Sequence, residues 1–521
     1  MSPAMLLRGK DGCKVINPTT GQPNPDISCL PVDTRAEMSA DGRLIAVVES
    51  NALRVLEMES GEQLMSEARP GVQALSFSPR GTFLLTWEKL QEGDEGNLRV
   101  WRTATSETVA RFKQKVLGEK NVWPPIRWSA DEAIACRLVT NEVQIYDGAN
   151  LSEKPLERLR VDRIAQYELA PCVDCYYVAT FVPEQKGAPA MVRLWKYPDF
   201  GEGRHVASRT FYKASEVQLR WSPTGRGVLI LTHTEVDRTG NSYYGESGLH
   251  FMNTTGDAMQ VKLSKAGPVH DVQWAPSGDE FCAIFGTSPA AAALFNHRCA
   301  VTHQFPEAAQ NTVRWAPHGR SFILGGFGNL GGALSFWDRA TLKCLATVDA
   351  HMTVVHEWAP DSRSFLTAIL WPRLRVDNGF RVWSPSGQLL YQEKIEELSI
   401  AAWRPSPPSN FEAPGDECFK ALPGAPASRP SSAASKYIPP GARGAGSTAA
   451  RTAGSGTSLS ALAAAVESGG SAAMRTGPPP GAEVDESSTS RSAAKNKAKR
   501  EAAKKKKAEA DGASAAAAAA A

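Results

Sequence analysis

The stretch TVRWAPHGRSF (residues 312–322) decides the fold, because it returns in altered form as QLRWSPTGRGV (218–228), DVQWAPSGDEF (271–281) and VHEWAPDSRSF (355–365). Within it Val313 and Trp315 alternate with polar neighbours and so share one face of a strand, which puts Arg314 on the other. Pro317 presets φ for the second position of a type I turn, and Gly319 suits the fourth. One copy reads as a β-hairpin corner. Many copies read as a repeat.

Looser versions stand at EMSADGR (37–43), SFSPRGT (76–82), RWSADEA (127–133), ELAPCVD (168–174) and WRPSPPS (403–409). The nine occurrences from Met38 to Trp403 have a mean period of about 46 residues, within the range of propeller blades. A second signal follows each of the first eight, a β-rich run ending in a turn, as in NLRVWRTAT (97–105), MVRLWKYPD (191–199), ALSFWDRAT (333–341) and FRVWSPSGQ (380–388). Hairpin, third strand and a fourth strand such as TLKCLATVD (341–349) make one four-stranded blade, with tryptophans packed between neighbouring blades. The signal at Trp403 has no second-type partner after it, whereas KVINPTTGQ (14–22) has no predecessor. Joined, they complete a ninth blade and close the ring, leaving no long free edge. The expectation is an all-β, nine-bladed, WD40-like propeller over residues 1–410, closed by N- and C-terminal strands.

All thirteen tryptophans fall between Trp87 and Trp403. Residues 411–490 turn Pro/Gly/Ser/Ala-rich with few aromatic or β-branched residues to offset the entropy of ordering, so they read as a disordered linker. Residues 491–521 read as a basic, Ala-rich tail with helix propensity but no apolar stripe to dock. The net charge of +3 is uneven: residues 491–507 hold nine Lys/Arg against Glu501, while residues 1–490 carry −3. That distribution suits an arm for polyanions. Nine scattered cysteines, no apolar signal segment at the start and no run long enough to span a bilayer point to a reducing, cytoplasmic setting without a membrane.

Signals for chemistry are thin. Cys172 and Cys175 have C-x-x-C spacing inside a strand-like run, with no second pair, and read as structural thiols. His351 and His356 lack a zincin arrangement, and the glycines of LGGFGNLGGALSFWD (324–338) lack the Lys-Ser/Thr of a phosphate loop and read as a turn between strands. No catalytic residue, metal site or cofactor is expected, and a propeller enzyme has no paired acid and base to support it. Three features break the repeat and are candidates for RNA or ribosome contact. The insertion HTEVDRTGNSYYGES (233–247) offers Tyr243 and Tyr244 for stacking on bases or on protein. In WPRLRVDNG (371–379), Arg373 and Arg375 share one face if the segment is extended, which suits phosphate contact or a solvated edge. The tail offers Lys495, Lys497, Lys499, Arg500, Lys504, Lys505, Lys506 and Lys507, for RNA or ribosome contact, nuclear localisation or solubility.

Four blocks, TEVDRTGNSYYGESGLHFMN (234–253), FGTSPAAAALFN (285–296), GFGNLGGALSFWD (326–338) and PRLRVDNGFRVW (372–383), resemble in the same order the propeller of the eukaryotic translation initiation factor 2A family. KYIPPGARG (436–444) resembles a short motif that follows the propeller there. The resemblance covers about residues 1–410. It implies a non-enzymatic, monomeric initiation factor that binds the small ribosomal subunit and places initiator methionyl-tRNA in a codon-dependent, GTP-independent way on a subset of mRNAs, with other initiation factors as further partners. The chain departs from the family at the C-terminus, where alanine replaces a Lys/Leu-rich helical segment and any contact carried by that helix. The alternative is a propeller scaffold within a multisubunit initiation complex, like the propeller-bearing subunit of eukaryotic initiation factor 3. That subunit carries an RNA-recognition domain before its propeller, and only a short lead precedes the first blade here.

Overall fold

The computed structural model of the protein describes residues 3–17, 35–49, 52–69, 71–115, 123–151, 154–173, 175–185, 187–201, 203–212, 214–234 and 247–420. The chain divides into two compact units, 1–433 and 434–521, and every described residue lies in the first. Nine antiparallel sheets follow one another, eight with four strands and one with three. Blades 1 to 8 take residues 35–67, 72–112, 126–160, 166–211, 216–260, 269–308, 312–349 and 355–394. In each, strands a to d follow in chain order, and the a strands of blades 1 and 2, and of blades 6 to 9 in succession, contact one another. The fold is the expected nine-bladed propeller.

Blade 9 joins the two ends of this unit. Its inner strand is Ile400–Trp403, and Met5–Gly9 and Gly12–Ile16 add the next two. Met5 pairs with Trp403 and Arg8 with Ile400. On one side Met5, Leu7 and Ile16 join Leu366, Phe380, Val382 and Trp403; on the other Leu6, Cys13 and Val15 join Ile45, Val47 and Met58. These two strands therefore weld blade 8 to blade 1.

The stretch at 312–322 shows why its residue types recur. Ala316 is fully buried and accepts from Gly319 N–H at 2.8 Å, and Gly319 sits at φ +77°, the left-handed region where glycine avoids a Cβ clash. The same turn closes on Ser39, Ser78, Ser129, Ser222, Ala275 and Ala359, each at most 3% exposed, so no larger side chain fits. Tryptophans bridge blades with their indole nitrogens: Trp221, Trp274, Trp358 and Trp403 donate to the carbonyls of Glu168, Arg220, Arg314 and Glu357 of the preceding blade at 2.9–3.4 Å. Arg314 occupies the strand as expected, and its guanidinium meets Asp271 at 2.7 Å while Arg220 meets the other oxygen of the same carboxylate at 2.9 Å. Asp271 also accepts from the backbone N–H groups of Val272 and Val313, tying blades 5, 6 and 7 together. A largely buried carboxylate is tolerated there because two cations and two amides satisfy it.

One boundary moves. Residues 411–420, read as the start of the linker, pack on the propeller. Arg404 donates to the Gly42 carbonyl at 2.6 Å, His318 Nε2 lies 3.3 Å from the Phe411 carbonyl, Arg320 pairs with Asp416 at 2.9 Å, and the Arg320 guanidinium covers the ring of the buried Phe419. Short 3₁₀ turns at Pro408–Asn410 and Asp416–Phe419 shape this strap. Its partners lie from 93 to 362 residues upstream, beyond the reach of composition.

Arg404 and Pro405, which lead into the strap, press on Gly42. A Cβ at Gly42 (φ +67°) would lie 1.9 Å from the Pro405 carbonyl oxygen, whereas one at Gly319 has nothing nearer than Pro276 Cδ at 3.7 Å. Both substitutions by alanine carry a left-handed penalty of about 1–2 kcal/mol, and Gly42→Ala adds roughly 1–3 kcal/mol of overpacking. Thermal melts should therefore show Gly42→Ala lowering the Tm clearly more than Gly319→Ala. Equal shifts would mean that the strap yields freely.

Candidate functional site

Antiparallel strands fix which loops share a face. The a–b and c–d turns emerge on one side of the ring, together with the strap, and the b–c and d–a connections on the other. Two of the three sequence candidates leave the ring as b–c connections, so the stem of the insertion and the 370–378 connection stand on that second face. The insertion leaves blade 5 from the paired residues His233 and Ser247, and the 370–378 connection leaves blade 8 between Phe365–Ile369 and Gly379–Trp383. They stand three blades apart in a ring of nine. Tyr243 and Tyr244, and all eight tail residues from Lys495 to Lys507, lie outside the described residues.

The blade 8 connection differs from the extended strand that placed Arg373 and Arg375 on one face. Leu374 N–H donates to the Leu370 carbonyl at 3.0 Å, a single helical turn, and the Asn378 amide donates to the Leu374 carbonyl at 2.8 Å. Trp371 N–H donates to the Leu398 carbonyl at 2.7 Å. These bonds coil the segment, so the alternation of an extended strand does not set where the two arginines stand. Both remain exposed. Arg375 lines a shallow cleft of about 440 Å³ with Trp371, Asn378, Ile395 and Glu397. A second cleft of about 420 Å³ is lined by His351, Met352, Arg381, Gln392 and Glu393 and shares Asp377 and Lys394 with the first.

Sequence reasoning missed two aromatic residues on this face. Trp371 is the one exposed tryptophan of the thirteen, at 37%, and Val376 beside it is 58% exposed. Its departure from the repeat positions was the available signal. Tyr212, 81% exposed, follows the last strand of blade 4 (Ala207–Phe211) close to the stem of the insertion, where Ser215 N–H donates to the His233 carbonyl. Nothing in its sequence neighbourhood marks it.

The remaining signals are structural. Cys172 and Cys175 Sγ atoms lie 3.6 Å apart as free thiols, and among the described residues no group of three His, Cys, Asp or Glu is placed to hold a metal ion. His356 stacks on Phe327, and burial with the nearby Arg314 cation pulls its pKa down to about 4. The glycine run is a turn in blade 7: Gly326 N–H donates to the Ala333 carbonyl, and a Cβ at Gly326 would lie 2.1 Å from the Ala309 carbonyl oxygen. Glycine is required there by close backbone approach.

Residues 209–401 match the family described as eukaryotic translation initiation factor eIF2A. The chain is 37% identical over 426 residues to eukaryotic translation initiation factor 2A of Schizosaccharomyces pombe, covering 79% of this chain and 73% of that one. The chain belongs to the eukaryotic translation initiation factor 2A family. The Dictyostelium discoideum member is 38% identical over 379 residues, 72% of this chain and 61% of its own, so a substantial part of that relative has no counterpart in the alignment. A solved structure described as a crystal structure of the eukaryotic initiation factor superposes with a TM-score of 0.71 at 34% identity, covering 78% of this chain and all of that one. One component of eukaryotic translation initiation factor 3 from Xenopus laevis is more distant, 24% identical over 72% of this chain and 54% of its own. The factor 2A family thus accounts for the propeller.

Proposed function

We propose that the chain is a non-enzymatic, cytoplasmic initiation factor that binds the small ribosomal subunit and promotes GTP-independent, codon-dependent placement of initiator methionyl-tRNA on a subset of mRNAs. Membership of the factor 2A family carries the reading. Support comes from the exposed Arg373, Arg375 and Trp371 on the face from which the stem of the insertion leaves, and from the cationic run 495–507. Cationic side chains that replace counterions on RNA give binding that weakens steeply with salt.

The test is co-sedimentation of the full chain with small subunits, initiator methionyl-tRNA and an AUG message, without nucleotide. tRNA should be retained equally with and without GTP, and the retention should fall as salt rises. Replacing the eight tail cations by glutamine should weaken sedimentation about 10-fold or more at roughly 0.15 M salt. Unchanged sedimentation refutes the tail's role, and no tRNA retention refutes the delivery role. The similarity to a component of factor 3 favours one second reading, a scaffold within a multisubunit complex. Recovery of that complex in equal amounts on pull-down would support it.

A further inference from the structure

We propose that the cleft beside Trp371 on blade 8 holds one unpaired nucleotide of single-stranded RNA. Trp371 supplies the stacking platform, Arg373 and Arg375 the phosphate contacts, and Glu397 an acceptor for the exocyclic amino group of cytosine or the corresponding donors of guanine. This rests on the reading of the chain as an RNA-facing initiation factor and names the ligand of one part of that face.

Trp371 stands apart by its exposure. Twelve tryptophans are buried or half-buried, and Trp371 alone is exposed, at 37%. Indole surface is normally covered, and exposed aromatic faces concentrate where a partner stacks. The loop holding it is braced by three hydrogen bonds, from Trp371 N–H to Leu398, Leu374 N–H to Leu370 and the Asn378 amide to Leu374. The ring is thus presented on a shaped turn.

Charge then selects the ligand. At the rim Lys394 pairs with Asp377 at 3.0 Å and Lys10 with Glu396 at 3.1 Å, so those acids already hold lysines. Arg373 and Arg375 form no ion pair among the described residues and are exposed, and Glu397 is the carboxylate of the cleft outside those two pairs. Arg375, which lines the cleft, and Arg373, two residues before it in the same connection, supply two guanidinium groups for a phosphate–base–phosphate unit stacked on Trp371. A duplex hides its base faces and has no use for the platform, whereas an unpaired base stacks on it. A lone carboxylate discriminates by edge: it accepts from cytosine N4 and finds no donor at the corresponding position of uracil.

The probes are fluorescein-labelled oligonucleotides of about 12 cytidines or uridines, within the range of single-strand site sizes, with an RNA duplex as control, titrated against the full chain by anisotropy across a salt series. Trp371→Ala should weaken cytidine oligonucleotide binding roughly 5- to 150-fold at unchanged salt slope, because stacking is uncharged. Arg373→Ala/Arg375→Ala should lower the slope of log K against log salt by about 1.4. Glu397→Ala should reduce the preference for cytidine over uridine. Trp371→Phe should recover much of the loss, and unchanged melting temperatures exclude misfolding.

Binding of the Trp371→Ala chain at wild-type strength overturns the proposal, as does equal weakening of duplex binding. If Trp371→Ala spares oligonucleotide binding but abolishes co-sedimentation with ribosomal subunits, the cleft takes a protein, which also overturns it. Because the oligonucleotide titration contains no ribosome, it can fail while the initiation-factor reading stands, and the reverse holds equally.

Discussion

A chain lacking residues 1–17 loses cooperative thermal unfolding. The removed segment carries Met5, Leu6, Leu7, Cys13, Val15 and Ile16, each at most 3% exposed, three packed toward blade 8 and three toward blade 1. At about 1.5–3 kcal/mol per buried apolar side chain the loss is on the order of 10 kcal/mol, comparable to the whole stability of an ordinary domain. The deletion also uncovers Trp403, Phe380 and Ile45 and leaves Ile400–Trp403 as an unpaired strand edge. Calorimetry should show a broad, weak transition in place of a sharp one, with raised binding of a hydrophobic dye. Adding a peptide of residues 1–17 in trans should restore the sharp transition. A deletion variant that melts like the full chain would show that the other eight blades are self-sufficient.

Acidification gives the second large effect. Burial pulls the pKa of both His250 and His356 down to about 4 from an ordinary 6.5, with the Arg209 cation adding to the first and Arg314 to the second, while Asp271 acts in the opposite direction on His356. In the unfolded chain each imidazole takes up its proton near pH 6.5, and in the folded chain only near pH 4. Between those values the unfolded state binds protons that the folded state refuses, so stability falls as pH falls through the window and is unaffected above it. At pH 5 the loss is about 2 kcal/mol per histidine. Glu37, Glu357 and Asp361 are pushed up by burial and gain stability as pH falls, so the diagnostic is a comparison of variants. His250 and His356 contact Phe211 and Phe327 through their rings, and neither Nδ1 has a hydrogen-bond partner. Phenylalanine at both positions therefore keeps the ring contacts and removes the proton. The double variant should lose less Tm than wild type between pH 7.5 and pH 5; an equal loss in both would remove the histidines as the cause.

Most of the propeller was legible because its demands are local and repeated. A small residue after the aromatic, a proline and a glycine answer to one buried turn at Ser39, Ser222 or Ala316, and the indole at Trp274 or Trp358 answers to one carbonyl of the blade before. Periodicity carries such information without any knowledge of the third dimension. What escaped depends on partners far away in sequence. The coil that replaces an extended 371–379 segment is set by Leu398 and Asn378, and the strap at 411–420 by His318 and Arg320. The exposure of Trp371 follows from the same coil. The b–c face as a common site emerged only when strand order assigned the insertion and the arginine connection to one side of the ring.

Ring closure through Met5–Gly9 also sets a schedule. The strands that finish blade 9 leave the ribosome long before their partner Ile400–Trp403, so Met5 waits nearly four hundred residues for Trp403. At about 5–20 residues per second that wait is roughly 20–80 seconds. Throughout it the apolar face of Met5, Leu7 and Ile16 has no native cover, whereas Leu6 on the opposite face finds Ile45 and Val47 of blade 1 early. A nascent chain of this protein therefore carries an uncovered apolar strand face until the last blade has been synthesised.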